Sequence, residues 1–247
     1  MNYKFNDTIT NWTDKFDDKK SNIEDKNYNK TFDNHLIPGK NVLMALIGPS
    51  GSGKTSTIIE YLKRTVYKGY LPFYEVIYFT ASTADEPLLN NLKKILNDGL
   101  TLIDNVDKLP ILEDFKDEKE KSKKRIIIFD DINNLSKKKL ESLNSFFNSG
   151  RKFFSTIICL AQNYTALPVQ IRRNCNMFLL YKSNDNTTIN YMLKNHNMYN
   201  LDKEKLRKLY DICTKEKGSF LKIDLTADSI APITHNFTDI IPIETLK

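Results

Sequence analysis

Gly48-Pro49-Ser50-Gly51-Ser52-Gly53-Lys54-Thr55 is the stretch that decides how the chain is read. It matches the pattern G-x-x-x-x-G-K-[ST] at every fixed position. Val42 to Ile47 before it is an unbroken apolar run, suited to a buried strand. Ser56 to Tyr67 after it carries Ile58, Ile59, Leu62 and Val66 at helical spacing. The motif therefore sits on a strand, a loop and a helix. Glycines let the loop curl round a phosphate with its N–H groups pointing inward. The helix that follows turns the positive end of its dipole to the same place. On this reading Gly48, Pro49, Ser50, Gly51, Ser52, Gly53, Lys54, Thr55 and Ser56 form an ATP-binding loop. Lys54 reaches the β- and γ-phosphates, and the Thr55 hydroxyl ligates Mg2+.

A second apolar run, Ile126 to Phe129, ends in Asp130-Asp131. An unbroken run reads as a strand buried on both faces, with the two carboxylates at its carboxyl end. Asp130 is the candidate Mg2+ ligand, direct or through water. Asp131 is the candidate that orients or deprotonates an attacking water. Capping the next helix is the alternative use for such an aspartate. Glutamate is the commoner residue at this second position in hydrolytic P-loop proteins, and aspartate is one methylene shorter. A third buried strand, Ser155 to Ala161, ends in Gln162-Asn163-Tyr164. Ligands bind at the carboxyl edge of open α/β sheets, so Gln162 is placed to sense a γ-phosphate and hold the lytic water.

The remaining pattern is that of one α/β domain, a mostly parallel central sheet flanked by helices. Strands are expected at Glu75 to Thr80, Leu102-Ile103 and Asn176 to Tyr181. Helices are expected over Pro87 to Leu96, through Leu140, Leu143, Phe146 and Phe147, over Thr187 to Lys194, and over Asp202 to Thr214. A small helix is expected near Ile111 to Phe115. Phe220 to Leu225 alternates as a half-exposed strand does, with Lys222 and Asp224 on one face. Residues 1–40 read as a polar arm that Trp12 and Phe16 could anchor. Residues 41–226 read as the nucleotide domain, and residues 227–247 as a loose tail.

Composition bounds the partners. The chain has 247 residues and a formal charge of +6, which permits an anionic partner such as DNA without requiring one. The charge run Lys116 to Arg125 reads as a solvated loop or a DNA-touching one. Cys159, Cys175 and Cys213 are far apart in apolar segments, which suits buried thiols in a reducing compartment. No apolar run approaches membrane-spanning length, and the first residues lack a signal-peptide core.

These motifs, together with Gly150-Arg151-Lys152 and the string Gln162-Asn163-Tyr164-Thr165-Ala166-Leu167-Pro168 through Ile171-Arg172-Arg173-Asn174, are similar to those of a viral family. They resemble the genome-packaging ATPases of poxviruses, other large DNA viruses and virophages, in the FtsK–HerA superfamily of P-loop ATPases. The resemblance covers roughly residues 40 to 226, and the glutamine string is its most specific part. It implies a RecA-like (ASCE) P-loop NTPase sheet with the Gln162 strand between the P-loop strand and the Asp130 strand. It implies a ring of roughly five or six subunits round double-stranded DNA. ATP hydrolysis would drive DNA into a preformed capsid, which adds capsid protein as a further partner. The setting would be the cytoplasm of an infected host cell or the virion. An arginine would reach into the neighbour's site, and Arg151 and Arg172 are the candidates. Where many relatives show Arg-His, this chain has Arg151-Lys152. Two other readings remain open from the sequence: a small-molecule P-loop kinase and a nucleotide-binding regulator. Candidate phosphate contacts on DNA are Lys121, Lys123, Lys124, Lys137, Lys138 and Lys139.

Overall fold

The apolar runs become strands because both of their faces are covered. In β1 (Val42–Ile47), Leu43, Ala45 and Ile47 enter one core cluster, and Val42, Met44 and Leu46 enter another on the opposite side of the sheet. The first cluster lies under α4 (Asn144–Ser149), α5 (Val169–Asn174), α6 (Thr187–Asn195) and α7 (Lys203–Cys213). The second lies under α1 (Lys54–Arg64) and α2 (Pro87–Leu96). A strand with no solvent face needs no polar residue, so it reads as a continuous apolar run. The structure is a computed structural model that describes residues 5–9, 42–65, 75–81, 87–96, 99–115, 125–184, 187–196, 201–226 and 233–241.

The sheet also contains β2 (Glu75–Thr80), β3 (Leu100–Ile103), β4 (Arg125–Asp130), β5 (Thr156–Ala161), β6 (Met177–Tyr181), β7 (Phe220–Asp224), β8 (Ile233–His235) and β9 (Asp239–Ile240). Its order is β3-β2-β4-β5-β1-β6-β7-β8-β9. The pairs from β3 across to β6 are parallel, and β7 to β9 add antiparallel strands at one side. β5 lies between β1 and β4, as the resemblance implies. Among the described residues no helix is long and apolar enough to cross a membrane.

Three expectations are corrected. The helix through Leu140 to Phe147 is broken at Leu143 into α3 (Lys137–Ser142) and α4. The Ser142 hydroxyl donates to Lys139 O at 2.7 Å and the Ser145 hydroxyl to Ser142 O at 2.9 Å, drawing carbonyls away from the helical ladder. β7 is buried along its whole length. Lys222 is 1% exposed because its Nζ donates to Phe237 O at 3.0 Å, inside the turn between β8 and β9. Asp224 is buried with its Oδ1 accepting from both the amide and the hydroxyl of Thr226. Finally, residues 233–241 are not a loose extension. They add β8 and β9 to the sheet and bury Ile233, Phe237 and Ile241.

The arm is pinned where it is described. The Asp7 carboxylate accepts from Phe237 N, Thr238 N and the Thr238 hydroxyl, and pairs with Arg64 Nη1 at 2.8 Å. Asn6 and Asp7 amides donate to Asp239 Oδ2, and the Phe5 ring stacks on His235 at 3.9 Å between centroids. Trp12 and Phe16 lie outside the described residues, so Phe5 is the aromatic anchor described here. Removing one partner of a buried ion pair leaves an uncompensated charge. Asp7→Ala should therefore lower unfolding stability by about 3 kcal/mol or more, measured by urea denaturation. A loss below about 1 kcal/mol would mean that the strap contributes no buried charge pair.

Candidate active site

Three carboxyl ends of parallel strands meet at the phosphate loop. The loop leaves β1 at Gly48, whose amide donates to Ala161 O at 3.0 Å, the last residue of β5. That bond carries Gln162, the next residue, to the mouth of the loop, with its side chain exposed. A Cβ on Gly48 would come within 2.6 Å of Tyr181 Cβ and 2.9 Å of Ser52 Oγ, so a side chain there would push the loop off β6. Gly51 and Gly53 have φ of 72° and 97°, the left-handed region that glycine enters freely. Ser52 N bonds Pro49 O, and Thr57 N bonds Gly53 O as α1 begins. Lys54 Nζ donates to Gly48 O at 2.7 Å and Pro49 O at 2.9 Å.

The acidic pair stands across β5 from this loop. Asp130 is buried at the end of β4, where Tyr78 from β2 donates its hydroxyl to Oδ2 and the Asp131 amide donates to Oδ1 at 2.8 Å. Burial pushes the Asp130 carboxyl up, and the nearby Asp131 charge adds to this; the Tyr78 hydroxyl, the Asp131 amide and Lys54 oppose it. Burial pulls the Lys54 ammonium down, against the attraction of Asp130 and Asp131. Asp131 has φ 50°, ψ 33° and no side-chain capping bond, so its carboxylate is not used to cap the turn that follows. Ser136 caps α3 instead, accepting from Lys139 N. A backbone held in the left-handed region at a site is a place where geometry is spent on aiming a side chain.

These groups fit a nucleotide and its metal. Among the described residues the buried Ser52 Oγ, in the phosphate loop, has no hydrogen-bond partner. Among the described residues no cluster of three metal-ligating side chains exists. Mg2+ takes few protein ligands and relies on phosphate oxygens and water. Thr55 and Asp130 are the residues that could hold it.

The glutamine string divides into one candidate site residue, Gln162, and a framework. Asn163 Oδ1 accepts from Ala166 N and the Thr165 hydroxyl, each at 2.8 Å, and shapes the turn after β5. Tyr164 is buried, with its hydroxyl bonded to His196 Nε2 and Asn195 Nδ2. Leu167 and Ile171 are buried, and Pro168 opens α5. The Arg172 guanidinium lies over the Tyr164 ring at 5.2 Å, and its buried Nε has no hydrogen-bond partner among the described residues. Arg151 is exposed in the turn that precedes β5, at the opposite edge of the sheet from Lys54. The six residues of β5 separate the two edges by roughly 20 Å. The structure therefore brings together Lys54, Thr55, Asp130, Asp131 and Gln162, and leaves Arg151 away from its own loop.

Of the candidate DNA contacts, Lys121, Lys123 and Lys124 lie outside the described residues. Lys137 and Lys138 are exposed. Lys139 is held by Asp107 Oδ1 at 2.8 Å and Val106 O at 3.0 Å. Sequence reasoning missed Tyr78, whose polar atom is hidden in an apolar strand pattern.

A parallel sheet with a phosphate loop on its central strand and an acidic pair two strands away is the fold and site of a P-loop ATPase. Residues 29–236 match the family described as Poxvirus A32 protein, and the chain belongs to that family. Among solved structures it is similar to the DNA-packaging ATPase B204 of Sulfolobus turreted icosahedral virus, at 14% identity and TM-score 0.54, over 80% of this chain and 97% of that one. It is also similar to the genome packaging NTPase B204 of Sulfolobus turreted icosahedral virus 2 in complex with AMPPCP, at 15% identity and TM-score 0.55, over 83% and 100%. A third is EssC (ATPases 2 and 3) of Geobacillus thermodenitrificans, at 14% identity and TM-score 0.50, over 84% and 42%. At these identities the likeness is one of fold. No curated protein matches the chain in sequence.

The Tyr78 contact makes a pH prediction. Its hydrogen bond favours ionised Asp130, so Tyr78→Phe raises that carboxyl further. The acid limb of ATP turnover should move to higher pH in Tyr78→Phe, while turnover well above the limb falls less. A pH–rate profile checks this, and an unmoved acid limb would remove Asp130 ionisation from the acid limb.

Proposed function

We propose that this chain is an ATP-driven motor that moves double-stranded DNA into a preformed viral capsid, working as a ring of roughly five or six copies. The observation that carries the reading is the Gly48 to Ala161 bond, which sets Gln162 beside the phosphate loop and between it and the acidic pair. Hydrolysis needs a cation at the phosphates, a group that positions water and a group that takes its proton. On this reading Lys54, Gln162 and Asp131 supply these in that order. Thr55 and Asp130 would hold Mg2+, which would supply charge neutralisation at the phosphates. As the water oxygen bonds to the γ-phosphorus and the bond to the bridging oxygen breaks, Asp131 takes the water proton. Gln162 orients that water and distinguishes ATP from ADP.

The trans arginine is better filled by Arg151. It is exposed and cannot reach its own loop, so it serves only a neighbour, whereas Arg172 is spread over Tyr164. A guanidinium supplied from the next copy stabilises charge on the γ-phosphoryl oxygens and ties hydrolysis to assembly. Exposed Lys137 and Lys138, just after the acidic pair, are candidate phosphate contacts for DNA.

The test is ATP turnover with and without long double-stranded DNA at low and moderate salt. DNA should stimulate turnover, and the stimulation should fade as salt rises. Lys54→Ala should lower the rate by about 100-fold or more. Turnover indifferent to DNA at every salt and protein concentration would overturn the motor. Phosphate transfer to a nucleoside would put a small-molecule kinase in its place.

A further inference from the structure

The nucleotide loop has a second wall that the phosphate-binding motif does not describe. Asp130 and Gln162 lie on one side of β1, at the ends of β4 and β5, while β6 and β7 lie on the other. On the proposed function, a triphosphate with its γ end toward Asp130 and Gln162 sends its nucleoside end toward β6 and β7. The structure on that side is the turn Lys215–Ser219, which joins α7 to β7. A Cβ built on Gly53 would lie 3.4 Å from Gly218 Cα, so the backbone of this turn rests against the phosphate loop. Gly218 has φ +85°, and a Cβ there would meet nothing within 4 Å, so that side of the turn faces open space.

The turn is held in place. The Tyr210 hydroxyl donates to Tyr181 O at 2.7 Å and accepts from Ser183 N at 2.7 Å, which fixes the exit of β6 to α7. The Thr214 hydroxyl donates to Tyr210 O, and Ser219 N donates to Glu216 O. Ser219 is buried, whereas Lys215 and Lys217 are exposed on either side of Glu216. The geometry points to Lys215–Gly218 as the nucleoside-side wall of the site, with the ammonium groups of Lys215 and Lys217 meeting the ribose and base. An ammonium donates to ribose oxygens and purine nitrogens, and it sits well on the face of an aromatic ring.

The experiment separates nucleoside from phosphate. Wild type, Lys217→Ala and the double variant Lys215→Ala/Lys217→Ala are titrated calorimetrically with ATP and with inorganic tripolyphosphate, each with Mg2+. Both lysines are exposed, so the fold should survive, and circular dichroism checks it. The expected result is an ATP Kd raised about three- to fivefold, with the tripolyphosphate Kd unchanged. Equal weakening of both ligands would place the lysines on the phosphates and overturn the inference. An unchanged ATP Kd would also overturn it. In both cases wild-type binding leaves the phosphate-loop reading intact. Wild type that binds neither ligand would overturn that reading itself.

Discussion

The register of β1 against β5 ends with Ile47 opposite Ala161, and the next contact is the bond from Gly48 N to Ala161 O. At that bond the sheet stops and the phosphate loop begins. The pairing decides more than strand position. Side chains alternate faces along a strand, so a slip of one residue would turn Gln162 away and move Ala45 and Ile47 into the wrong core. Because β5 also pairs with β4, with Ile158 opposite Ile128, the same register fixes the height of Asp130 relative to the loop. The buried apolar faces on both sides of the sheet are what make a slip costly, and so they are what hold the candidate site residues in place.

Charge follows from that arrangement. Lys54 is drawn out of water beside Asp130 and Asp131, and burial disfavours the ion at Lys54 and at Asp130. The chain offsets part of this internally: Lys54 takes two loop carbonyls, and Asp130 takes the Tyr78 hydroxyl and the Asp131 amide. Phosphate oxygens and a divalent cation are the ligands that would add the opposite charge to each. Binding ions is then a way of completing a preformed set of charges, with little reorganisation needed when charge develops on the γ-phosphoryl group. Asp131 differs from its neighbour because its left-handed backbone turns it off the strand and out of the helix cap.

The legible parts of the sequence were those whose pattern is local. The apolar runs of β1, β4 and β5 announced strands buried on both faces, and the polar residues ending them announced the site. β7 misled because alternation ordinarily signals a solvent face, and here Lys222 finds Phe237 O and Asp224 binds its own turn. β8 and β9 have three and two residues, too few for any period to show. Asp7, Tyr78 and Gly218 act through partners far along the chain, which no window of sequence contains. Arg151 could be numbered from the sequence, but its edge of the sheet became known only with the strand direction. The Gln162 string was specific for the family, yet Asn163, Tyr164, Leu167 and Ile171 turn out to be its framework.

The phosphate loop is positioned from the far end of α1 as well as from β1. At its start α1 presents amides to the loop. At its end Arg64 is buried, with Nε on Glu60 at 2.7 Å, Nη1 on Asp7 and Nη2 on Thr8 O at 3.0 Å, and its guanidinium 5.3 Å from the Phe237 ring. Asp7 in turn closes the turn between β8 and β9, which gives Lys222 its acceptor. The same edge of the sheet carries β7, whose preceding turn rests on Gly53. The two chain ends thus frame one helix and one loop. A shift of α1 along its axis would have to break a buried ion pair behind it or press Gly53 into Gly218 ahead of it. Segments that look peripheral in sequence are in this way the rear support of the nucleotide site.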